Sequence, residues 1–141
     1  MNKVINIASN LEPYTLEIKS KLIKLLNQNG YECFEGFDKN AELNITIGGD
    51  GAFLRAVRDS GFSDIPFVGI NTGTLGFYPE ITPENMDTFI DNYKSGNFTV
   101  NEVNLIQSKI EGCSMDQIYA VNDIVIKRRD MKTIHLDVFI D

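Results

Sequence analysis

An acidic side chain within a short run of glycines is the feature of this sequence best suited to chemistry. Gly48, Gly49 and Gly51 surround Asp50, directly after an apolar stretch and before a segment with helical spacing. Glycines let a ligand approach the main chain, and the free N–H groups at a helix start favour phosphate. A carboxylate repels phosphate unless Mg²⁺ lies between them or the carboxylate binds something else, such as the proton of a hydroxyl group that is being phosphorylated. The run predicts phosphoryl transfer with Asp50 as general base; a turn with a solvated Asp50 is the alternative.

A second glycine-bearing loop follows the next apolar stretch. It covers residues 71–78, which read NTGTLGFY. Asn71 and Thr72 can bond polar groups of a ligand. Phe77 and Tyr78 can stack on a flat ring, although each of these residues is also common in turns or cores. Loops at the carboxyl ends of neighbouring parallel strands line one crevice, so we expect the two glycine loops to face each other.

Two polar residues interrupt a later apolar run. Asn122 and Asp123 stand between IYAV and IVI. Such residues are disfavoured inside strands and costly when buried without partners. They therefore either form a solvent-facing bulge or contact a ligand, and an amide beside a carboxylate suits a ribose diol or the edge of a base.

The elements that must position these residues follow the order of an α/β fold. Short apolar runs are typical of buried parallel strands, and they cover residues 3–9, 31–34, 43–47 and 66–70. Segments with helical spacing lie between and after them, over residues 13–29, 52–58 and 83–95. Strands that alternate with helices imply an open parallel sheet with flanking helices.

The pattern changes after Gly96. Helical spacing ends, and three strand-like runs follow, over residues 99–110, 117–127 and 133–140. The last run alternates apolar and polar residues, which predicts a strand with one buried face and His135, the only histidine, on the polar face. We predict two domains, an α/β domain over residues 1–96 and a partial, truncated antiparallel β domain over residues 97–141.

Composition narrows the class of protein. The chain has 141 residues, of which 43% are hydrophobic, and a net charge of -7. That charge argues against nucleic acid as a partner, because duplex binding needs a basic face. Cys33 and Cys113 fit no metal or redox spacing, and no apolar run is long enough to span a membrane. We expect a soluble cytoplasmic protein with reduced thiols, no metal site and no membrane partner.

The three motifs together resemble those of the NAD kinases, also called inorganic polyphosphate/ATP-NAD kinases. Residues 48–58, GGDGAFLRAVR, are similar to the family's GGDGTFLRAAR. Residues 69–78, GINTGTLGFY, are similar to GVNTGHLGFL, and residues 120–126, AVNDIVI, are similar to ALNEVVI. The order of the three motifs and their separation along the chain also agree with the family pattern. The resemblance covers essentially the whole chain, but about the first half of the family's usual length.

The resemblance implies transfer of a phosphoryl group from ATP or polyphosphate to the 2′-hydroxyl of the adenosine ribose of NAD, giving NADP. Asp50 matches the family's proton acceptor, and Gly51 and Arg55 match positions lining the same pocket. The resemblance further implies Mg²⁺ or another divalent cation with the phosphoryl donor, and a homo-oligomer.

The remaining matched positions belong to the dinucleotide site. Asn122 and Asp123 match the pair that contacts the adenosine part, and Phe77 and Tyr78 correspond to the wall behind the adenine. With the loop residues above, the predicted binding set is Gly48, Gly49, Gly51, Arg55, Asn71, Thr72, Phe77, Tyr78, Asn122 and Asp123.

This sequence departs from the family pattern at three matched positions. Ala52 stands where the family usually has Thr, Thr74 where His is common, and Asp123 where Glu is usual. None of these changes removes the general base. The family's downstream Gly-Asp-Gly and Thr-Gly-Ser-Thr-Ala-Tyr segments, which complete the phosphate and adenine sites, have no counterpart here.

Two other functions compete with this interpretation. A lipid kinase of the diacylglycerol or sphingosine type has a similar Gly-Gly-Asp-Gly motif, but the second and third motifs disfavour it. The other is an inactive nucleotide-binding fragment that folds and associates without completing the reaction.

Overall fold

The structure is a computed structural model that describes residues 3–74, 76–112, 117–127, 133 and 135–139. The chain divides into two units, Met1–Asn101 and Glu102–Asp141. The domain boundary that the sequence suggests between residues 96 and 97 stays a prediction.

The first unit is built on a parallel sheet of four strands. These are β1 (Lys3–Ser9), β2 (Tyr31–Glu35), β3 (Leu43–Gly48) and β4 (Phe67–Asn71). Their order is β2-β1-β3-β4, and each neighbouring pair is parallel. From β1 the chain continues to the neighbouring outer strand β2, and from β3 it continues to the outer strand on the opposite side, β4. The carboxyl ends of β1 and β3 therefore form the switch point where open α/β sheets bind ligands.

Three helices accompany the sheet. They are α1 (Pro13–Gln28), α2 (Asp50–Asp59) and α3 (Met86–Ser95), and a short 3-10 turn, Pro83–Asn85, precedes α3. Helix α1 has Pro13 in its first turn, and α3 ends at Gly96, which has the left-handed backbone conformation typical of a helix end. The predicted parallel sheet with flanking helices is confirmed.

Strand β3 is buried along its whole length. Ile45 and Ile47 belong to the apolar core. Asn44, on the same strand, is polar but equally buried, with 1% of its surface exposed. The Asn44 side chain accepts a hydrogen bond from Asn6 Nδ2 at 2.8 Å and donates one to the Ile65 carbonyl at 3.1 Å. Helices cover both faces of a parallel sheet. The alternating residues of β3 are therefore all buried: one set packs in the apolar core, and the other set makes hydrogen bonds.

The second unit confirms the predicted antiparallel sheet, but the sheet is smaller than the sequence suggests. Its strands are β5 (Ile106–Ser108) and β6 (Ile118–Ala120), which pair antiparallel over three residues each. The predicted runs 99–110 and 117–127 were too long, because strand structure extends only where a partner supplies ladder hydrogen bonds. The prediction of a strand over 133–140 was wrong for the residues described there. Leu136 and Val138 are 58% and 79% exposed, since no described element covers their apolar face.

Candidate active site

Helix α2 begins two residues earlier than its spacing predicts, so Asp50 is the first residue of the helix and not the middle of a loop. The turn before it depends on Gly48, whose φ is 149°. A Cβ on Gly48 would lie 2.6 Å from the Cβ of Ala52. The chain therefore turns directly from β3 into α2, and Asp50 lies at the positive end of the helix, where a carboxylate is favoured.

The carboxylate of Asp50 joins the two glycine loops. Its Oδ1 accepts hydrogen bonds from the backbone N–H groups of Phe77 at 2.8 Å and Tyr78 at 2.9 Å. Oδ2 makes no hydrogen bond to any residue of the described ranges. One oxygen is thus fixed by the main chain, while the other keeps its lone pairs for a ligand. The expectation that the loops face each other is confirmed, and the alternative of a merely solvated Asp50 is wrong.

The second loop also has hydrogen bonds within itself and to the segment that follows it. Asn71 Oδ1 accepts a hydrogen bond from the N–H of Gly73 at 2.9 Å, and the N–H of Asn71 donates to the Ile81 carbonyl at 2.7 Å. Further along, Pro79 packs so closely on β4 that a Cβ on Gly69 would lie 2.5 Å from the Pro79 Cα. The Asn71 amide oxygen is therefore used within the loop, which leaves the amide nitrogen for a ligand.

The two aromatic residues of this loop have different surroundings. The Tyr78 ring stacks on Phe53 of α2, with a centroid distance of 5.2 Å and an interplanar angle of 9°. The Phe77 ring meets Tyr78 edge-on at 5.1 Å and is 82% exposed. Because one face of Tyr78 is covered by Phe53, Phe77 is the ring more open to a flat ligand.

Thr72 belongs to the same edge of the sheet. Its N–H donates to the Gly48 carbonyl at 3.4 Å, and its hydroxyl lies 2.7 Å from the hydroxyl of Thr15 in α1. The turn that carries Thr72 is therefore attached both to the first glycine loop and to the first helix.

Arg55 lies in a shallow pocket of about 80 Å³ between the end of β1 and helix α2. Ser9, Asn10 and Asp59 also line this pocket, which is at the switch point of the sheet. Arg55 is exposed, and no ion pair between described residues involves it. Its guanidinium is thus available to an anionic group that enters the pocket.

Asn122 and Asp123 belong to the second unit and lie one residue beyond the end of β6. Both are exposed, and Asn122 Nδ2 donates to Asp123 Oδ1 at 3.1 Å. They follow the strand and do not interrupt it, because the β5–β6 ladder ends at Ala120. Both side chains are thus solvent-facing, as the bulge alternative supposed, but the described residues on either side of them do not form one strand. Their predicted contact with a ligand stays a prediction.

Other chemistry is limited in the part of the chain that the structure describes. No group of three or more His, Cys, Asp or Glu side chains there could hold a metal ion. Burial raises the pKa of the Cys33 thiol, which keeps it protonated near neutral pH; Cys113 is outside the described ranges. No described helix is both long and apolar enough for a membrane span.

Sequence reasoning missed two residues of this region, Thr15 and Pro79. Thr15 shares the buried face of α1 with Ile18 and Leu22, and a hydroxyl on an apolar face needs a partner. Gly69 inside a strand indicates close approach of another segment, which here is Pro79. Both signals are present in the sequence, but neither identifies the partner.

Comparison with known proteins gives consistent matches. Residues 4–98 match the family profile described as ATP-NAD kinase N-terminal domain. The NAD kinase of Finegoldia magna is 43% identical over 143 aligned residues, which cover 99% of this chain and 52% of that protein. The NAD kinase of Streptococcus gordonii is 33% identical, covering 99% of this chain and 51% of that protein. The chain spans about half the length of these curated relatives.

Solved structures agree at the level of the fold. An NAD kinase from Archaeoglobus fulgidus, solved with ATP, superposes with a TM-score of 0.55 at 20% identity and covers 74% of this chain and 40% of its own. A yeast NADH kinase, solved with NADH, superposes with a TM-score of 0.61 at 17% identity, and the match covers 84% of this chain and 46% of that chain.

Proposed function

This chain belongs to the ATP-NAD kinase family, and we propose that the protein transfers a phosphoryl group from ATP or polyphosphate to the 2′-hydroxyl of the adenosine ribose of NAD, giving NADP. The observation that carries the proposal is the Asp50 carboxylate, with Oδ1 bound to two backbone N–H groups and Oδ2 without a hydrogen bond to any described residue. A fixed carboxylate with one unused oxygen is what a general base for a hydroxyl group requires.

In the proposed step, Asp50 Oδ2 accepts the proton of the 2′-hydroxyl while the hydroxyl oxygen forms a bond to the terminal phosphorus of the donor. The bond from that phosphorus to its bridging oxygen breaks, and the shortened donor leaves with the electron pair. Because Phe77 and Tyr78 fix Oδ1, the base keeps its position while the proton moves, and little reorganisation is needed during the reaction.

The donor phosphates would lie at the start of α2. The first N–H groups of a helix have no partner within the helix, and together with the helix dipole they favour anionic oxygens. Gly48 and Gly49 keep the main chain before them free of side chains, and Arg55 of the same helix supplies a positive charge. A divalent cation such as Mg²⁺ would enter with the donor, because Mg²⁺ is usually bound by one or two carboxylates and substrate phosphates.

The dinucleotide would occupy the second loop. The Thr72 hydroxyl and the Asn71 amide nitrogen suit the polar groups of a nucleoside, and the exposed ring of Phe77 suits the adenine. The family resemblance assigns the adenosine contact to Asn122 and Asp123 as well. The two relatives solved with ATP and with NADH support this substrate pair.

Two other functions compete with this proposal. The family match gives no support to a lipid kinase. A nucleotide-binding fragment is kept as an alternative, because the chain spans about half the length of its curated relatives. We also propose a homo-oligomer, which the family resemblance implies. We propose a cytoplasmic location because the spacing of the two cysteines fits no metal or redox site, as expected for reduced thiols.

The deciding assay supplies NAD with ATP and Mg²⁺, or with polyphosphate, and measures NADP with an NADP-specific dehydrogenase. We expect NADP to accumulate in proportion to protein and time, and no phosphorylated product from a short-chain diacylglycerol. Calorimetric binding of NAD without any NADP formation would favour the nucleotide-binding fragment. Phosphorylation of the diacylglycerol in place of NAD would overturn the proposal.

A further inference from the structure

A pair of threonine hydroxyl groups joins helix α1 to the second loop. Thr15 Oγ1 lies 2.7 Å from Thr72 Oγ1, although 57 residues separate them in the chain. Thr15 is fully buried, and Thr72 is half-buried at the carboxyl end of β4. The pair thus connects an interior side chain to a residue at the predicted ligand site.

The direction of this hydrogen bond follows from the surroundings of Thr15. A buried hydroxyl proton needs an acceptor. A helical threonine can donate to the carbonyl four residues earlier, as Ser20 does to Leu16, but Thr15 makes no such bond with a described residue. Its only hydrogen-bond partner within the described ranges is Thr72. Thr15 is therefore the donor and Thr72 the acceptor.

This arrangement leaves Thr72 with an unused proton. One lone pair of its oxygen is occupied by Thr15, and its own O–H makes no hydrogen bond to another residue in the described part of the chain. A hydroxyl that accepts a hydrogen bond becomes a better donor, because successive hydrogen bonds polarise one another. Thr15 therefore prepares Thr72 to donate.

We propose that Thr15 is a positioning residue, which holds the Thr72 hydroxyl so that it donates to an oxygen atom of the bound dinucleotide. The proposal rests on the proposed function, because it takes NAD as the ligand of this loop. Thr15 would act only through Thr72. The N–H bond from Thr72 to the Gly48 carbonyl places this donor beside the loop that carries Asp50.

Three variants of the complete protein test the proposal. Thr15→Val keeps the shape of the side chain without the hydroxyl, and Thr15→Ser keeps the hydroxyl. Ser20→Ala is the matched control, because it removes a hydroxyl from the exposed side of the same helix. We expect Thr15→Val to raise the Kd and KM for NAD about three- to tenfold, the scale of one hydrogen bond. The kcat and the KM for ATP should stay within about twofold, because the proposed place of the donor phosphates is the start of α2 and not Thr72. Thr15→Ser should restore the NAD affinity, and Ser20→Ala should leave it unchanged.

A double-mutant cycle tests whether Thr15 acts through Thr72, and chemical denaturation of each variant checks that it is folded under the binding conditions. Thr72→Val alters the half-buried partner, and the double variant should bind NAD no more weakly than Thr72→Val alone. Equal NAD affinity of Thr15→Val and the unmodified protein would overturn the positioning role and leave the proposed function intact. Additive losses in the cycle would also overturn it. Failure of the unmodified protein to bind NAD would overturn both.

Discussion

The Oδ1 atom of Asp50 lies 2.8 Å from the backbone nitrogen of Phe77, a residue 27 positions further along the chain. The same oxygen accepts the N–H of Tyr78. This relationship makes the predicted general base a structural link between the two glycine loops. It follows that substitutions of Asp50 must be chosen to separate the acceptor role of Oδ1 from the proton-accepting role of Oδ2.

The first prediction concerns the acceptor role. Asp50→Ala removes the acceptor of two N–H groups, so we expect faster amide hydrogen exchange at Phe77 and Tyr78 and a fall of about 1–3 kcal/mol in the free energy of unfolding. Asp50→Asn is the matched control, because its amide oxygen can accept both bonds. If these two amides exchanged as slowly in Asp50→Ala as in the unmodified protein, the loop would not depend on this link.

Gly48 gives a second prediction. Gly48→Ala would place a Cβ 2.6 Å from that of Ala52, at a φ of 149° that other residues rarely adopt. We expect the free energy of unfolding to fall by about 2–4 kcal/mol in chemical denaturation. The control is Gly51→Ala, which meets no heavy atom within 4 Å and should be neutral or stabilising by about 0.5–1 kcal/mol, because alanine is the better helix former. Equal stability of the two variants would contradict the geometry of the turn.

The buried asparagine pair gives a third prediction. Asn44→Ala leaves the Ile65 carbonyl without its side-chain donor and removes the acceptor of Asn6 Nδ2, all in the sheet interior. We expect a loss of about 2–4 kcal/mol in the free energy of unfolding. Asn40→Ala is the control, because among the described residues its exposed side chain bonds only Asp38; this substitution should change stability by less than about 0.5 kcal/mol. A similar small effect at Asn44 would mean that the pair is dispensable.

The sequence predicted the first unit well for a physical reason. Short apolar runs separated by helical spacing have few arrangements other than a parallel sheet, and the carboxyl ends of its strands necessarily bring residues 48–51 and 71–78 together. The pattern could not reveal that Asn44 is interior or that Thr15 meets Thr72. Periodicity treats a polar residue as outward-facing, whereas these side chains are buried with partners far away in the chain.

The second unit was predicted less well, also for a physical reason. Alternation at residues 133–140 describes a face that can be buried, but burial needs a covering element. In the residues described, Val138 remains largely exposed. The position of Asp123 after β6, and not within it, likewise depends on where the strand partner ends.

Arg55 gives a fourth prediction, for the donor site. Arg55→Ala removes a guanidinium that has no ion pair with a described residue and lines the pocket beside β1. We expect the KM for ATP to rise about 5- to 20-fold, the scale of a charge-assisted hydrogen bond, with the stability unchanged. Arg58→Ala is the matched control, because Arg58 on the same helix is already paired with Asp59. If both variants gave the same KM for ATP as the unmodified protein, Arg55 would be a surface residue.

The general base gives the last prediction. Asp50→Asn keeps the oxygen that Phe77 and Tyr78 bind, but an amide cannot accept the proton of the 2′-hydroxyl. In the complete protein we expect the NAD affinity to stay within about twofold, and the free energy of unfolding to fall by no more than about 1 kcal/mol. Asp50→Ala, measured in parallel, should lose the loop contacts as well as the activity.

The most direct measurement is therefore the kcat for NADP formation by Asp50→Asn with saturating NAD and ATP. We expect a fall of about 10²- to 10⁴-fold, the contribution of a positioned general base, while calorimetry still shows NAD bound. A variant that retains the kcat of the unmodified protein would show that Asp50 is not the general base and serves only as the link between the two loops.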